Sequence, residues 1–174
     1  MDKIGLFFGP IGGSTDKVGK KIAKAFGEDH IEFVPVKAAG TAELDKYDKI
    51  IFGISTLGRE TWDGVHTKND WDVFMPTLSE VDFSSKKVAL YGLGDSVTYA
   101  QYFVDHMGVL AEILLAQNAN IIGRCSTEGY TFEDSQAIYN DEFIGLPVDE
   151  DFEDYLTDER IEAWIENIKL EFGF

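Results

Sequence analysis

Residues Lys3 to Thr15 read KIGLFFGPIGGST, an apolar run that passes through Gly9, Gly12 and Gly13 into Ser14 and Thr15 at the start of a helical pattern. A strand feeding a glycine-rich turn at a helix start is the arrangement that cradles a phosphate. Glycine lets the backbone enter positive φ and approach an anion closely, while the first amides of a helix lack internal partners and sit at the positive end of its dipole. Ser14 and Thr15 add two hydroxyl donors. The turn is neither a Walker loop, which ends in Gly-Lys-Ser/Thr, nor a G-x-G-x-x-G dinucleotide turn. Taken alone, it reads either as an anion cradle or as a tight strand-to-helix turn with no ligand.

Two further loops carry ligand-type chemistry. Ser55 to Thr67 reads STLGRETWDGVHT, and Gly92 to Tyr102 reads GLGDSVTYAQY. Leu57, Trp62, Tyr99 and Tyr102 are large apolar or aromatic groups in settings that are otherwise polar and glycine-rich. They suit stacking on a flat ligand whose edges meet backbone amides and carbonyls. A phosphate site with two apolar walls describes a phosphorylated planar cofactor. Flavin mononucleotide (FMN) fits better than a nucleoside triphosphate, because the loops hold no Walker lysine and no evident magnesium carboxylate.

The elements that must position these loops are legible as apolar runs. Lys3–Phe8, Ile31–Val36, Lys49–Ile54, Val88–Tyr91 and Ile121–Arg124 read as strands, nearly all apolar throughout, as strands buried on both faces should be. Val18, Ile22 and Ala25/Phe26 recur at helical spacing after the first turn. Phe103, Met107, Leu110, Ala111 and Leu114 do so before the fifth strand, and Ile161, Trp164, Ile165, Ile168 and Phe172 after a start at Thr157. A further helix starts near Asp70, anchored by Trp71 and Phe74. Strands alternating with helices imply a doubly wound parallel sheet, in which ligands sit outside the carboxyl ends of the strands. The three loops occupy those ends.

With 174 residues, 44% hydrophobic, the chain suits one domain over residues 1–174. Its apolar stretches fall far short of the roughly 20 residues of a membrane span, and the N-terminus enters a strand without a leader pattern. A cytoplasmic protein is expected, in keeping with the single cysteine, Cys125. The net charge is −17, and Ser126 to Phe174 holds 15 Asp and Glu against Arg160 and Lys169, so that segment carries −13 of it. Such a field repels nucleic acid and anionic membrane. It either steers a basic protein partner or serves solubility alone. His30, His66 and His106 have no metal-type spacing to one another or to Cys125, so no metal site is assigned.

Several stretches in order carry a family resemblance: the first strand into Gly12-Gly13-Ser14-Thr15, Ile50 to Gly58 (IIFGISTLG), Val88 to Asp95 (VALYGLGD), Ser126 to Tyr130 (STEGY) with Phe143 to Leu146 (FIGL), and Thr157 to Ile161 (TDERI) through Gly173. From Met1 to Phe174 the chain resembles a flavodoxin of the long-chain type. The resemblance implies a three-layer, five-stranded sheet in the order 2-1-3-4-5. Its fifth strand is split by an insertion from about Ser126 to Phe143, with pairing resuming near Gly145–Val148. It implies non-covalent FMN and one-electron transfer on the semiquinone/hydroquinone couple, with no catalytic residue and no substrate turned over.

By the same resemblance Gly12, Gly13, Ser14 and Thr15 wrap the phosphate. Thr56, Leu57, Gly58 and Arg59 lie along the ribityl chain and inner flavin face, and Ser55 before them is counted among the cofactor-binding residues. Gly92, Gly94 and Asp95 contribute from the loop after the fourth strand, Asp95 mainly through its backbone at the pyrimidine edge, and Tyr99 stacks on the outer face. The Gly58–Arg59 peptide is expected to rotate and present a carbonyl to flavin N5, since glycine escapes a Cβ penalty of about 1–2 kcal/mol. An acidic protein disfavours the anionic reduced flavin, which implies a low potential, and Arg59 would oppose that effect. The implied partners are basic surfaces of ferredoxin- or flavodoxin-type oxidoreductases or an NADP reductase, met by a monomer.

Two departures from the family pattern stand out. The usual Ser/Thr-x-Thr-Gly-x-Thr loop appears as Pro10-Ile11-Gly12-Gly13-Ser14-Thr15, which lacks two hydroxyls and, at Pro10, an amide. The usual Gly-Asp-Gln-x-Gly-Tyr appears as Gly94-Asp95-Ser96-Val97-Thr98-Tyr99, and Ser96 is too short to span a glutamine's distance. Beside the electron carrier, two other readings stand: an FMN-dependent quinone or nitro reductase, and a binding module that has lost its flavin.

Overall fold

The computed structural model describes residues 2–55 and 69–174. Strands β1 (Ile4–Phe8), β3 (Lys49–Ile54) and β4 (Lys87–Leu93) are buried almost throughout, because helices cover both faces of the sheet they form. With β2 (Ile31–Pro35) and β5 (Asn120–Ile122) they make a parallel sheet in the order β2-β1-β3-β4-β5, the doubly wound order expected. Strand β2 is an edge, and it departs from the all-apolar reading by exposing Glu32 and Phe33.

Two hydrophobic layers flank the sheet. Helices α1 (Ser14–Phe26) and α5 (Thr157–Phe172) cover one face, where Val18, Ile22, Ile161, Trp164 and Ile168 meet Leu6, Ile51 and Ala89. Helices α3 (Asp70–Leu78) and α4 (Asp105–Ala116) cover the other, packing Trp71, Phe74, Met107 and Leu110 on Phe7, Phe52 and Leu90. Between β2 and β3 lies a one-turn helix α2 (Thr41–Leu44), too short to leave a periodic signal in the sequence.

The fifth strand is split. Strand β5 pairs with Lys87–Ala89 of β4, and the strand at Leu146–Val148 pairs with Tyr91–Leu93 further along the same edge. The chain leaves the edge at Gly123, with φ +77°, where its carbonyl accepts a hydrogen bond of 2.8 Å from Trp164 Nε1. The intervening segment folds into three two-residue antiparallel strands, β6 (Cys125–Ser126), β7 (Ile138–Tyr139) and β8 (Glu142–Phe143), before the resumed strand, β9 (Leu146–Val148). Phe103, Tyr130, Phe132 and Phe143 pack there with ring centroids 5.2 to 6.1 Å apart, so Tyr130 and Phe132 serve packing. Among the described residues no helix is long and apolar enough to cross a membrane.

Candidate functional site

The carboxyl ends of β1, β3, β4 and β9 surround one cavity of about 270 Å³. From the turn after β1 it is lined by Pro10, Gly13, Ser14 and Thr15, and from the end of β3 by Ser55. Leu93, Gly94, Asp95 and Tyr99 line it from β4, and Glu150 and Asp151 follow from β9. Seven of the residues singled out in the sequence thus meet at one place: Gly13, Ser14, Thr15, Ser55, Gly94, Asp95 and Tyr99.

The first turn of α1 is arranged to receive an anion. Gly13 stands at the N-cap with no side chain to satisfy the amides that follow. The Thr15 hydroxyl is buried and has no hydrogen-bond partner among the described residues, although Thr15 lines the cavity. A buried hydroxyl left without a partner is costly, and a phosphate oxygen would satisfy it. Gly12 behaves differently. Its φ is +82°, and its amide donates to Asp16 Oδ2 at 2.8 Å, so one amide of the turn is held by the chain's own carboxylate. Lys20 Nζ lies 3.3 Å from the other oxygen of Asp16.

The loop after β4 is held from beneath. Asp95 Oδ1 accepts from the amides of Val97 and Thr98 at 3.0 and 2.7 Å, a local turn that engages the carboxylate and leaves the backbone of Gly94 and Asp95 at the cavity. Ser96, buried where the family pattern has glutamine, reaches Asp149 instead. Its amide and hydroxyl donate to Asp149 Oδ2 at 3.1 and 2.6 Å, and Asp149 Oδ1 accepts from the amides of Asp151 and Phe152. Tyr99, 49% exposed, stands at the cavity mouth. Gly92 does not reach the cavity. A Cβ there would lie 2.9 Å from the Met107 Cβ, so this glycine lets α4 approach β4.

Ser55 lines the inner side, and its carbonyl lies 3.2 Å from His106 Nδ1. Thr56, Leu57, Gly58 and Arg59 lie outside the described residues, as do Trp62, Asp63, His66 and Lys68. The sequence reading missed Glu150 and Asp151. They follow β9, so the rule that ligands sit beyond strand carboxyl ends reaches them once β9 is recognised as the second half of strand five.

The cavity is acidic. Among its described lining residues there is no Lys or Arg, while Asp95, Glu150 and Asp151 all belong to the lining. Lys17 Nζ approaches Glu150 at 3.4 Å from outside. Burial, and then the Asp95, Asp149 and Glu150 carboxylates, raise the Asp151 carboxyl above its usual range. Among the described lining residues, the donors that could meet an anion are therefore neutral hydroxyls and amides.

The flavodoxin family model matches residues 6–164. The flavodoxin of Trichodesmium erythraeum is 41% identical over 175 residues, covering 99% of each chain, and that of Haemophilus influenzae is 40% identical over 169 residues, covering 97% of this chain and 94% of its own. The crystal structure of Fusobacterium nucleatum flavodoxin bound to flavin mononucleotide superposes with a TM-score of 0.85 at 28% identity, covering 98% of this chain and 99% of that one. The parallel order, the split fifth strand and the cavity at the strand ends accord with these likenesses, and the chain belongs to the flavodoxin family.

Proposed function

We propose that the cavity between the turn after β1 and the loop after β4 holds FMN, with the phosphate at the first turn of α1 and the ring system beside Tyr99. As a flavodoxin, the protein is an FMN-based electron carrier and not an enzyme. The observation that carries the site assignment is the buried Thr15 hydroxyl without a partner, at the mouth of a helix whose N-cap is glycine. Gly13, Ser14 and Thr15 hold the phosphate through amides and hydroxyls, Ser55 abuts the ribityl chain, and Gly94 with Asp95 offers backbone groups to the ring edge.

Bound FMN supplies one-electron redox chemistry. The chain's residues set its conditions: Asp95, Glu150 and Asp151 place negative charge around the site. An added electron is disfavoured there, so the potential is low. The acidic C-terminal segment favours a redox partner with a basic docking face, such as a ferredoxin- or flavodoxin-type oxidoreductase or an NADP reductase. We take residues 1–174 as one domain, a reading supported by α1 and α5, from opposite ends of the chain, sharing one core, and we assign it to the cytoplasm as a monomer.

Fluorescence titration of the apoprotein with FMN tests the assignment. Tight 1:1 quenching is expected, and Thr15→Val, which keeps the shape and removes the hydroxyl, should weaken it roughly 10- to 100-fold. Unchanged affinity in Thr15→Val would move the phosphate off this turn.

A further inference from the structure

Tyr91 lies at the centre of β4, fully buried, yet its hydroxyl is not wasted in the core: it donates to the Thr15 carbonyl at 2.8 Å, across 76 residues of sequence. Two glycines make the slot it occupies. Opposite it on β3, a Cβ on Gly53 would lie 2.1 Å from the Tyr91 Cζ, and on α1 a Cβ on Gly19 would lie 2.8 Å from the hydroxyl. Hydrophobic packing alone would be met by phenylalanine, and a buried hydroxyl is tolerated only because it finds an acceptor.

We infer that Tyr91 is a positioning residue for the phosphate turn, fixing the Thr15–Asp16 peptide from below so that the first turn of α1 is already set when the phosphate arrives. A trans peptide points its N–H opposite its C=O, and helix N–H groups point toward the helix N-terminus. The Tyr91 hydroxyl therefore holds the Asp16 amide pointing toward the anion side of the turn, and donation to the carbonyl polarises that amide as a donor. The turn needs this support because Pro10 has no amide and the Gly12 amide is engaged by Asp16. Burial, reinforced by the Asp16 carboxylate, raises the Tyr91 phenol and keeps it protonated as a donor.

The inference rests on the phosphate lying at this turn, and the test separates the two. Apoprotein is titrated with FMN and with riboflavin, which lacks the phosphate, for the wild type, Tyr91→Phe, Gly19→Ala and the double variant. The wild type should prefer FMN. Tyr91→Phe should lose about tenfold in FMN affinity with riboflavin affinity nearly unchanged. Gly19→Ala, whose Cβ displaces the hydroxyl, should weaken FMN in the wild-type background and add little in Tyr91→Phe.

No preference for FMN in the wild type would remove the phosphate from this turn and the inference with it. A wild-type preference that Tyr91→Phe leaves intact would overturn the inference alone. Equal losses for both ligands would make Tyr91 merely structural, as would a Gly19→Ala effect identical in both backgrounds.

Discussion

The fully buried Asp149 carboxylate accepts both the amide and the hydroxyl of Ser96, at 3.1 and 2.6 Å, and so ties the loop after β4 to the loop after β9. Its other oxygen accepts from the amides of Asp151 and Phe152 at 3.0 and 2.9 Å. Asp149→Ala strands all of these donors and should destabilise the protein by about 3 kcal/mol or more. Ser96→Ala removes one donor and leaves the rest satisfied, at a cost of about 1 kcal/mol. Urea unfolding of the two variants measures both, and equal losses would show that the carboxylate does not organise the two loops together.

Arg160 straps the insertion to α5. Its guanidinium lies 3.9 Å from the Tyr130 ring centroid, donates to the Gly129 carbonyl at 2.9 Å, and pairs with Glu153 at 3.3 Å. Arg160→Lys loses the planar stack and the fork geometry. A loss of about 1–2 kcal/mol is expected, with amide exchange accelerated at Gly129 and Tyr130 and unchanged in β1 and β3. Uniform acceleration across the sheet would contradict a local strap.

Several buried groups shape the alkaline limb of stability, Tyr91, Tyr130 and Tyr139 among them because burial raises each phenol, and the limb is read at Cys125 and Tyr47. Burial, and then Glu142 and Glu171, push the Cys125 thiol up to about 12. Burial, with the Glu32 carboxylate that accepts its hydroxyl, pushes the Tyr47 phenol up to about 12. Both folded values lie above those of the unfolded chain, so the folded state binds more protons in the interval between. The stability they contribute is complete below pH 9 for Cys125 and below pH 10 for Tyr47, and is lost as pH rises toward 12. Unfolding free energies measured from pH 8 to 11 should fall along this limb, and Cys125 should resist thiol reagents at pH 8 until the protein is unfolded. Rapid labelling of the native protein would contradict it.

Docking should be electrostatic. With −13 of the net charge in the last 49 residues, the rate of electron transfer to a basic redox partner should fall steeply between 50 and 500 mM salt, where the screening length shrinks from about 14 to about 4 Å. Stopped-flow kinetics across that range reads it directly, and a rate indifferent to salt would assign the acidic surface to solubility alone.

Much of this architecture was legible in the sequence. Continuous apolar runs marked β1, β3 and β4 because both their faces are covered, and the glycine turn at residues 9–15 marked the start of α1. The insertion's strands span two residues each, too short for any period to register. The contacts that shape the site were hidden for another reason: Tyr91 to Thr15 and Ser96 to Asp149 are side-chain contacts across 76 and 53 residues, and no spacing announces them. The capture of the Gly12 amide by Asp16 is local, yet from the sequence that aspartate reads only as an ordinary first-turn acid. The absence of a glutamine at Ser96 appeared as a gap in the loop, whereas the structure fills it from Asp149.

The most direct measurement is a stepwise reductive titration of the FMN-loaded protein with dithionite under a redox-mediator set, recording the visible spectrum. Two resolved one-electron steps, the second at markedly lower potential and with a long-wavelength band after the first, together with no NAD(P)H turnover by the protein alone, are the result expected of a low-potential electron carrier. A single two-electron step accompanied by NAD(P)H oxidation would contradict it and identify a flavin reductase.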